Sequence, residues 1–143
     1  ASYQNGGLLV FADWMDDQES DAAEDSAWKL GGKFSMNNFA VMGQYEQQDE
    51  GSEEEEFWHI GGSATFGNNM LYAGYGQGES DGVGDGDYDA WTIAGMHSLS
   101  KRTKAYLGYT TTDCDPGASD AHPVCDGVDG DNERFTVGMK HKF

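Results

Sequence analysis

Apolar and polar positions alternate with period two along most of this chain, and helical periodicity is absent. The alternation is cleanest in the last ten residues. There Phe135, Val137, Met139, His141 and Phe143 take one side and Thr136, Gly138, Lys140 and Lys142 the other. Trp28, Leu30, Gly32 and Phe34 alternate in the same way with Lys29, Gly31, Lys33 and Ser35. Leu71, Ala73 and Tyr75 alternate with Tyr72, Gly74 and Gly76. Runs of this kind are strands with one apolar face. The pattern predicts about eight strands, at roughly 7–14, 27–35, 39–45, 57–66, 70–76, 89–98, 104–111 and 134–143. The sixth is the least regular and suggests a bulge. Ala1-Ser2-Tyr3 reads as the end of a preceding strand, with Gln4-Asn5-Gly6-Gly7 as the turn after it.

The strands fall into repeated hairpins. Trp28-Lys29-Leu30-Gly31-Gly32 leads through Asn37-Asn38 to Gly43-Gln44-Tyr45. Trp58-His59-Ile60-Gly61-Gly62 leads through Asn68-Asn69 to Gly74-Tyr75. Trp91-Thr92-Ile93-Ala94-Gly95 leads through Ser100–Thr103 to Gly108-Tyr109, and Phe135 opens a fourth copy. Each unit has a short turn at one end and a long connection at the other, and none can bury a face alone.

Charge follows the same division. The 143 residues carry 8 Lys+Arg against 26 Asp+Glu, a formal charge of −18. Of the 26 acids, 25 lie in four blocks at 15–26, 46–56, 76–89 and 110–133, and none of the 8 basic residues does. These Gly/Ser/Asp-rich blocks read as long acidic loops. So acidic a chain is unsuited to nucleic acid, whose phosphates need a basic surface. A mean hydropathy of −0.69 would suit a solvated coil, but seven Phe, seven Tyr and four Trp contradict that.

A strand with one apolar and one polar face suits either a secreted sandwich or a membrane barrel. Three features favour the barrel. Trp14, Trp28, Tyr45, Trp58, Tyr75, Trp91, Tyr109 and Phe135 sit at the strand ends near the long connections, and Phe34, Phe66 and Phe143 near the short turns. Two interfacial girdles have this arrangement. The polar face carries Lys, Gly, Ser and Thr, as a wet lumen would. Connections alternate short and long. A bilayer accepts strands only as a closed barrel, because an open edge leaves backbone groups unpaired. The expected fold is therefore an all-β, transmembrane, antiparallel up-and-down β-barrel, with residues 1–143 as one domain.

At this point the chain resembles the Gram-negative outer-membrane general porins. The resemblance rests on Arg134-Phe135-Thr136-Val137-Gly138-Met139-Lys140-His141-Lys142-Phe143, which is similar to that family's terminal strand. It rests also on Leu99–Tyr109, which is similar to the penultimate hairpin. The resemblance implies the bacterial outer membrane and passive diffusion of small hydrophilic solutes or ions, with no cofactor and no chemical step. It implies contact with lipid bilayer and lipopolysaccharide, and a terminal strand whose Phe135, Val137, Met139 and Phe143 are read by the outer-membrane assembly machinery. It further implies an N-terminal half barrel as partner, since these porins have 16 strands, and a possible homotrimer. The alternative is a narrow, closed eight-stranded barrel with a structural, anchoring or adhesive role, its interior filled by side chains.

Candidate chemistry is sparse. Lys29, Lys33, Lys104 and Arg134 fall on the polar side and are the candidate pore-lining cations, with Asp13 and His59 as inward neighbours. Six inward cations, counting Lys140 and Lys142 near the rim, would raise local anion concentration. Cys114 and Cys125, with ten residues between them, most simply form a disulfide in an oxidising compartment. No metal site is expected. Asp85-Gly86-Asp87-Tyr88-Asp89 lacks the glycine and glutamate that an EF-hand loop needs, as Ala90 and Met96 occupy those places. No hydrolase or nucleotide-binding motif is present, and acid pairs such as Asp16-Asp17 are expected by chance in so acidic a loop.

Overall fold

A computed structural model of the chain describes residues 1–17, 25–50, 53–81, 86–115 and 131–143. Among these residues, nine antiparallel strands form one sheet in strict chain order. They are β1 (Ser2–Asn5), β2 (Leu8–Asp17), β3 (Asp25–Met36), β4 (Phe39–Glu50), β5 (Glu53–Phe66), β6 (Asn69–Asp81), β7 (Gly86–Ser98), β8 (Thr103–Cys114) and β9 (Asn132–His141). Every strand pairs only with its chain neighbours, and β1 and β9 are the two edges.

The up-and-down arrangement is the expected one, with one strand more. Ser2–Asn5 is paired with β2 from Ser2↔Phe11 to Asn5↔Leu8, so the residues before the first turn are themselves a strand. The short turns are set by local chemistry. Gly6, Asn37 and Gly67 have φ of 57°, 52° and 58°, each at the first central position of a two-residue hairpin. Positive φ there is what the primed turns require, and Gly or Asn supplies it most cheaply. The β7–β8 turn is longer, and Ser100 Oγ accepts the backbone N–H groups of Arg102 and Thr103.

Two expectations are corrected. The strands run past their predicted ends: β4 reaches Glu50 and β5 begins at Glu53, so most of the 46–56 block is hydrogen-bonded ribbon rather than loop. The same holds for β6–β7, which extend to Asp81 and from Gly86. Carboxylates on both faces hide the period-two signal there, while the backbone ladder and side-chain bonds such as Gln47 to Glu54 continue the pairing. The expected bulge near 88–98 is absent, and β7 keeps one unbroken register with both neighbours. Small residues on both of its faces blur the alternation.

The apolar face of the sheet points outward. Val41, Leu71, Ile60, Ile93, Leu107 and Val137 are all more than half exposed. Among the described residues the buried apolar core is small and lies above this region, where Tyr88 and Cys114 pack with Phe57. A sheet that exposes this much aliphatic surface and buries almost none belongs in lipid.

Candidate pore wall

The outer face is closed at its upper end by a belt of aromatic side chains. Trp14 pairs in register with Trp28, Tyr45 with Trp58, Tyr75 with Trp91, and Tyr109 with Phe135. Between these pairs, Trp28–Tyr45, Trp58–Tyr75 and Trp91–Tyr109 touch diagonally, with ring centroids 5.1, 5.4 and 5.4 Å apart. Eight strands thus contribute one ring each to a continuous band. Trp28 Nε1 donates to Gln47 at 3.2 Å and Tyr109 Oη to Glu133 at 2.8 Å, which turns the polar tips toward water.

Counting from this belt sorts the opposite, inward face into levels. One residue from the belt lie Asp13, Lys29, Glu46, His59 and Arg134. Lys29 stands in register with Asp13 on one side and Glu46 on the other, and its Nζ lies 2.7 Å from Glu46 Oε2. His59 Nε2 is 2.9 Å from Tyr72 Oη. Arg134 is in register with Thr110, whose hydroxyl bonds that of Thr92 at 2.8 Å.

Five residues below the belt stand Lys33, Lys104 and Lys140. Lys104 and Lys140 are in register with each other, so two cations share one cross-strand position. No ion pair to any of these three is made among the described residues. All four candidate pore-lining cations therefore fall on the inner face, but at two heights and in different company: Lys29 is neutralised and the lower lysines are not. Sequence reasoning missed Glu46, because it lay in a block assigned to loop.

Above the belt the inner face is polar and partly closed. Glu46, Gln48, Glu55, Phe57 and Tyr88, together with Glu56 from the other side of β5, line a cavity of about 210 Å³. Burial, followed by the charges of Glu55 and Glu46, raises the Tyr88 phenol above its usual pKa. Cys114 is buried at the top of β8 and no free cysteine occurs among the described residues, whereas Cys125 lies outside them. Asp85 also lies outside them, and Asp87-Tyr88-Asp89 are strand. Among the described residues no group of three or more His, Cys, Asp or Glu is placed to hold a metal ion. Phe135, Val137 and Met139 project outward from β9, two-thirds or more exposed, and Phe143 is fully exposed beyond it.

Comparison with known proteins agrees with this geometry. Three solved structures of OmpT, an outer-membrane protein of Vibrio cholerae, share the fold. The outer-membrane-expressed form matches with a TM-score of 0.74 and 17% identity over 98% of this chain and 53% of its own. The in-vitro folded form matches at 0.72 and 17%, over 98% and 53%. A loop L8 deletion mutant matches at 0.71 and 16%, over 98% and 51%. The chain thus spans about half the length of these structures, and at such identities the likeness is one of fold. No curated protein sequence matches it. The sequence model of the Gram-negative porins matches residues 1–117. On that match, and with an exposed apolar face banded by aromatics, the chain belongs to the Gram-negative porin family and to the bacterial outer membrane.

Proposed function

We propose that this chain forms part of the wall of a water-filled channel through which small hydrophilic solutes or ions diffuse passively, without cofactor or chemical step. The observation that carries the reading is the inner face, where Lys29, Lys33, Lys104, Arg134, Glu46 and the Thr92–Thr110 pair oppose an aliphatic outer face. Charged groups on a barrel's inside need water, and an interior filled by side chains would leave the lower lysines buried and unpaired. Solutes would be sorted by size and by the field of these charges. The sheet edges at β1 and β9 would be met by further strands, as an N-terminal half barrel. The outer face would contact bilayer and lipopolysaccharide, with a homotrimer as the family's common assembly. Phe135, Val137, Met139 and Phe143 would serve recognition by the assembly machinery, and a Cys114–Cys125 disulfide would brace the connection between β8 and β9. Single-channel recording on the full-length protein in planar bilayers tests the proposal: discrete steps support it, and their absence from correctly folded protein would sink it.

A further inference from the structure

Between the two charged levels lies a third, three residues below the belt on every strand from β2 to β9. In chain order it reads Phe11, Gly31, Met42, Gly61, Tyr72, Ala94, Tyr106, Gly138. Each strand running toward the belt brings a bulky side chain to this height, and each strand running away brings Gly or Ala. They meet in register as Phe11↔Gly31, Met42↔Gly61, Tyr72↔Ala94 and Tyr106↔Gly138. At about 3.3 Å per residue this level lies some 10 Å below the belt, well inside the bilayer.

The rings at this level lie along the wall. A Cβ placed on Gly31 would overlap the Phe11 ring, and one on Gly138 would overlap the Tyr106 ring and hydroxyl. Tyr72 turns away from Ala94, which already has a Cβ, and crosses the other way. Its hydroxyl would meet a Cβ on Gly61 at 2.6 Å and would overlap one on its own strand's Gly74. His59 holds that hydroxyl at 2.9 Å. Three rings from three hairpins thus share one height, and each occupies space that only a missing side chain leaves open.

We infer that Gly31, Gly61, Gly74 and Gly138 set the bore of the pore, by letting Phe11, Tyr72 and Tyr106 lie flat where upright rings would form a constricting collar. The inference rests on the channel reading above. Contact between aromatic rings and strand glycines also covers exposed backbone, and that role alone would change stability without changing what passes through. In the inferred role the glycines are positioning residues. A methyl group there forces the ring off the wall, and the free direction is toward the pore axis, since the neighbouring strands occupy the others.

Unit conductance of the full-length protein in planar bilayers, with folding confirmed by gel mobility before and after heating, tests this. Gly138→Ala is expected to lower unit conductance, Tyr106→Ala to leave it near that of the parent, and the double variant to regain the parent value. Gly74→Ala with Tyr72→Ala repeats the test on a second ring. A Gly138→Ala channel as conductive as the parent overturns the inference, as does a double variant no better than the single, or a marked rise in Tyr106→Ala alone. Failure of Gly138→Ala, Gly74→Ala and Gly31→Ala all to fold would make the glycines packing requirements only and equally overturn it. A folded parent without conductance steps would instead bring down the channel reading, and this inference with it.

Discussion

Lys29 and Glu46 face each other in register across β3 and β4, with Nζ and Oε2 2.7 Å apart on the inward side of the sheet. Both side chains are about one-third exposed, at 35% and 33%, so water screens the pair. Its removal is expected to cost less than about 1 kcal/mol of stability. The larger effect is on the field. Glu46→Gln uncovers the Lys29 charge above the lower lysines, and Lys29→Gln leaves a bare carboxylate. Under a salt gradient the first should shift the reversal potential toward anions and the second toward cations. Identical potentials in both variants would place the pair outside the ion path.

The two faces of the sheet should respond oppositely to the same substitution. Leu71 points outward, half exposed, four residues below the belt, whereas Ser63 points inward at a comparable depth. An arginine at position 71 faces hydrocarbon, at a cost of about 2–4 kcal/mol near the bilayer midplane. An arginine at position 63 meets the lumen and should cost far less. Denaturant unfolding in lipid vesicles compares them, and equal destabilisation would contradict the assignment of faces.

The aromatic belt should behave as a set of coupled pairs. Trp58 and Tyr75 sit with centroids 5.4 Å apart at an interplanar angle of 58°. A double-mutant cycle with Trp58→Leu and Tyr75→Leu should return a coupling of about 0.5–1.5 kcal/mol beyond the loss of area. Strict additivity would mean that each ring is anchored by lipid headgroups alone.

Cys114 lies buried at the upper end of β8, in the small core with Tyr88. If it is bridged to Cys125, unfolded but unreduced protein should take up no alkylating reagent, and reduction should expose two thiols. Reduction should also hasten proteolysis of the connection between β8 and β9, which the bridge would shorten. Alkylation without reduction, read by mass spectrometry, would refute the pairing.

Much of this wall was legible in the residues themselves. The eight belt positions, from Trp14 to Phe135, were identifiable from their spacing and their place at strand ends, and all eight fall on one face in register. Alternation sets Lys29, Lys33, Lys104 and Arg134 on the side opposite the belt, and the strand register keeps them on that side. What alternation could not give was where the strands end above the membrane. In water both ribbon faces tolerate carboxylates, so Glu46, Glu54, Glu55 and Glu56 carry no period-two signal although all lie in strands. Glu46 was therefore hidden as the partner of Lys29. The level of rings and glycines was present in the sequence as a constant offset of three from each belt residue, but it becomes meaningful only once register shows which glycine each ring covers.

The pairing of Ser2–Asn5 with β2 has a consequence for how the wall can close. β1 runs into a short turn, and β9 also runs toward the short-turn end, so the two edge strands point the same way. Joined directly they would pair in parallel, against the sense of every other ladder in the sheet. With β1 in place on the edge of β2, the eight strands that follow cannot seal on themselves. Any wholly antiparallel cylinder built on these nine described strands must add an odd number of others. A narrow barrel closed from β2 to β9 alone would first have to give up the β1 ladder, from Ser2↔Phe11 to Asn5↔Leu8.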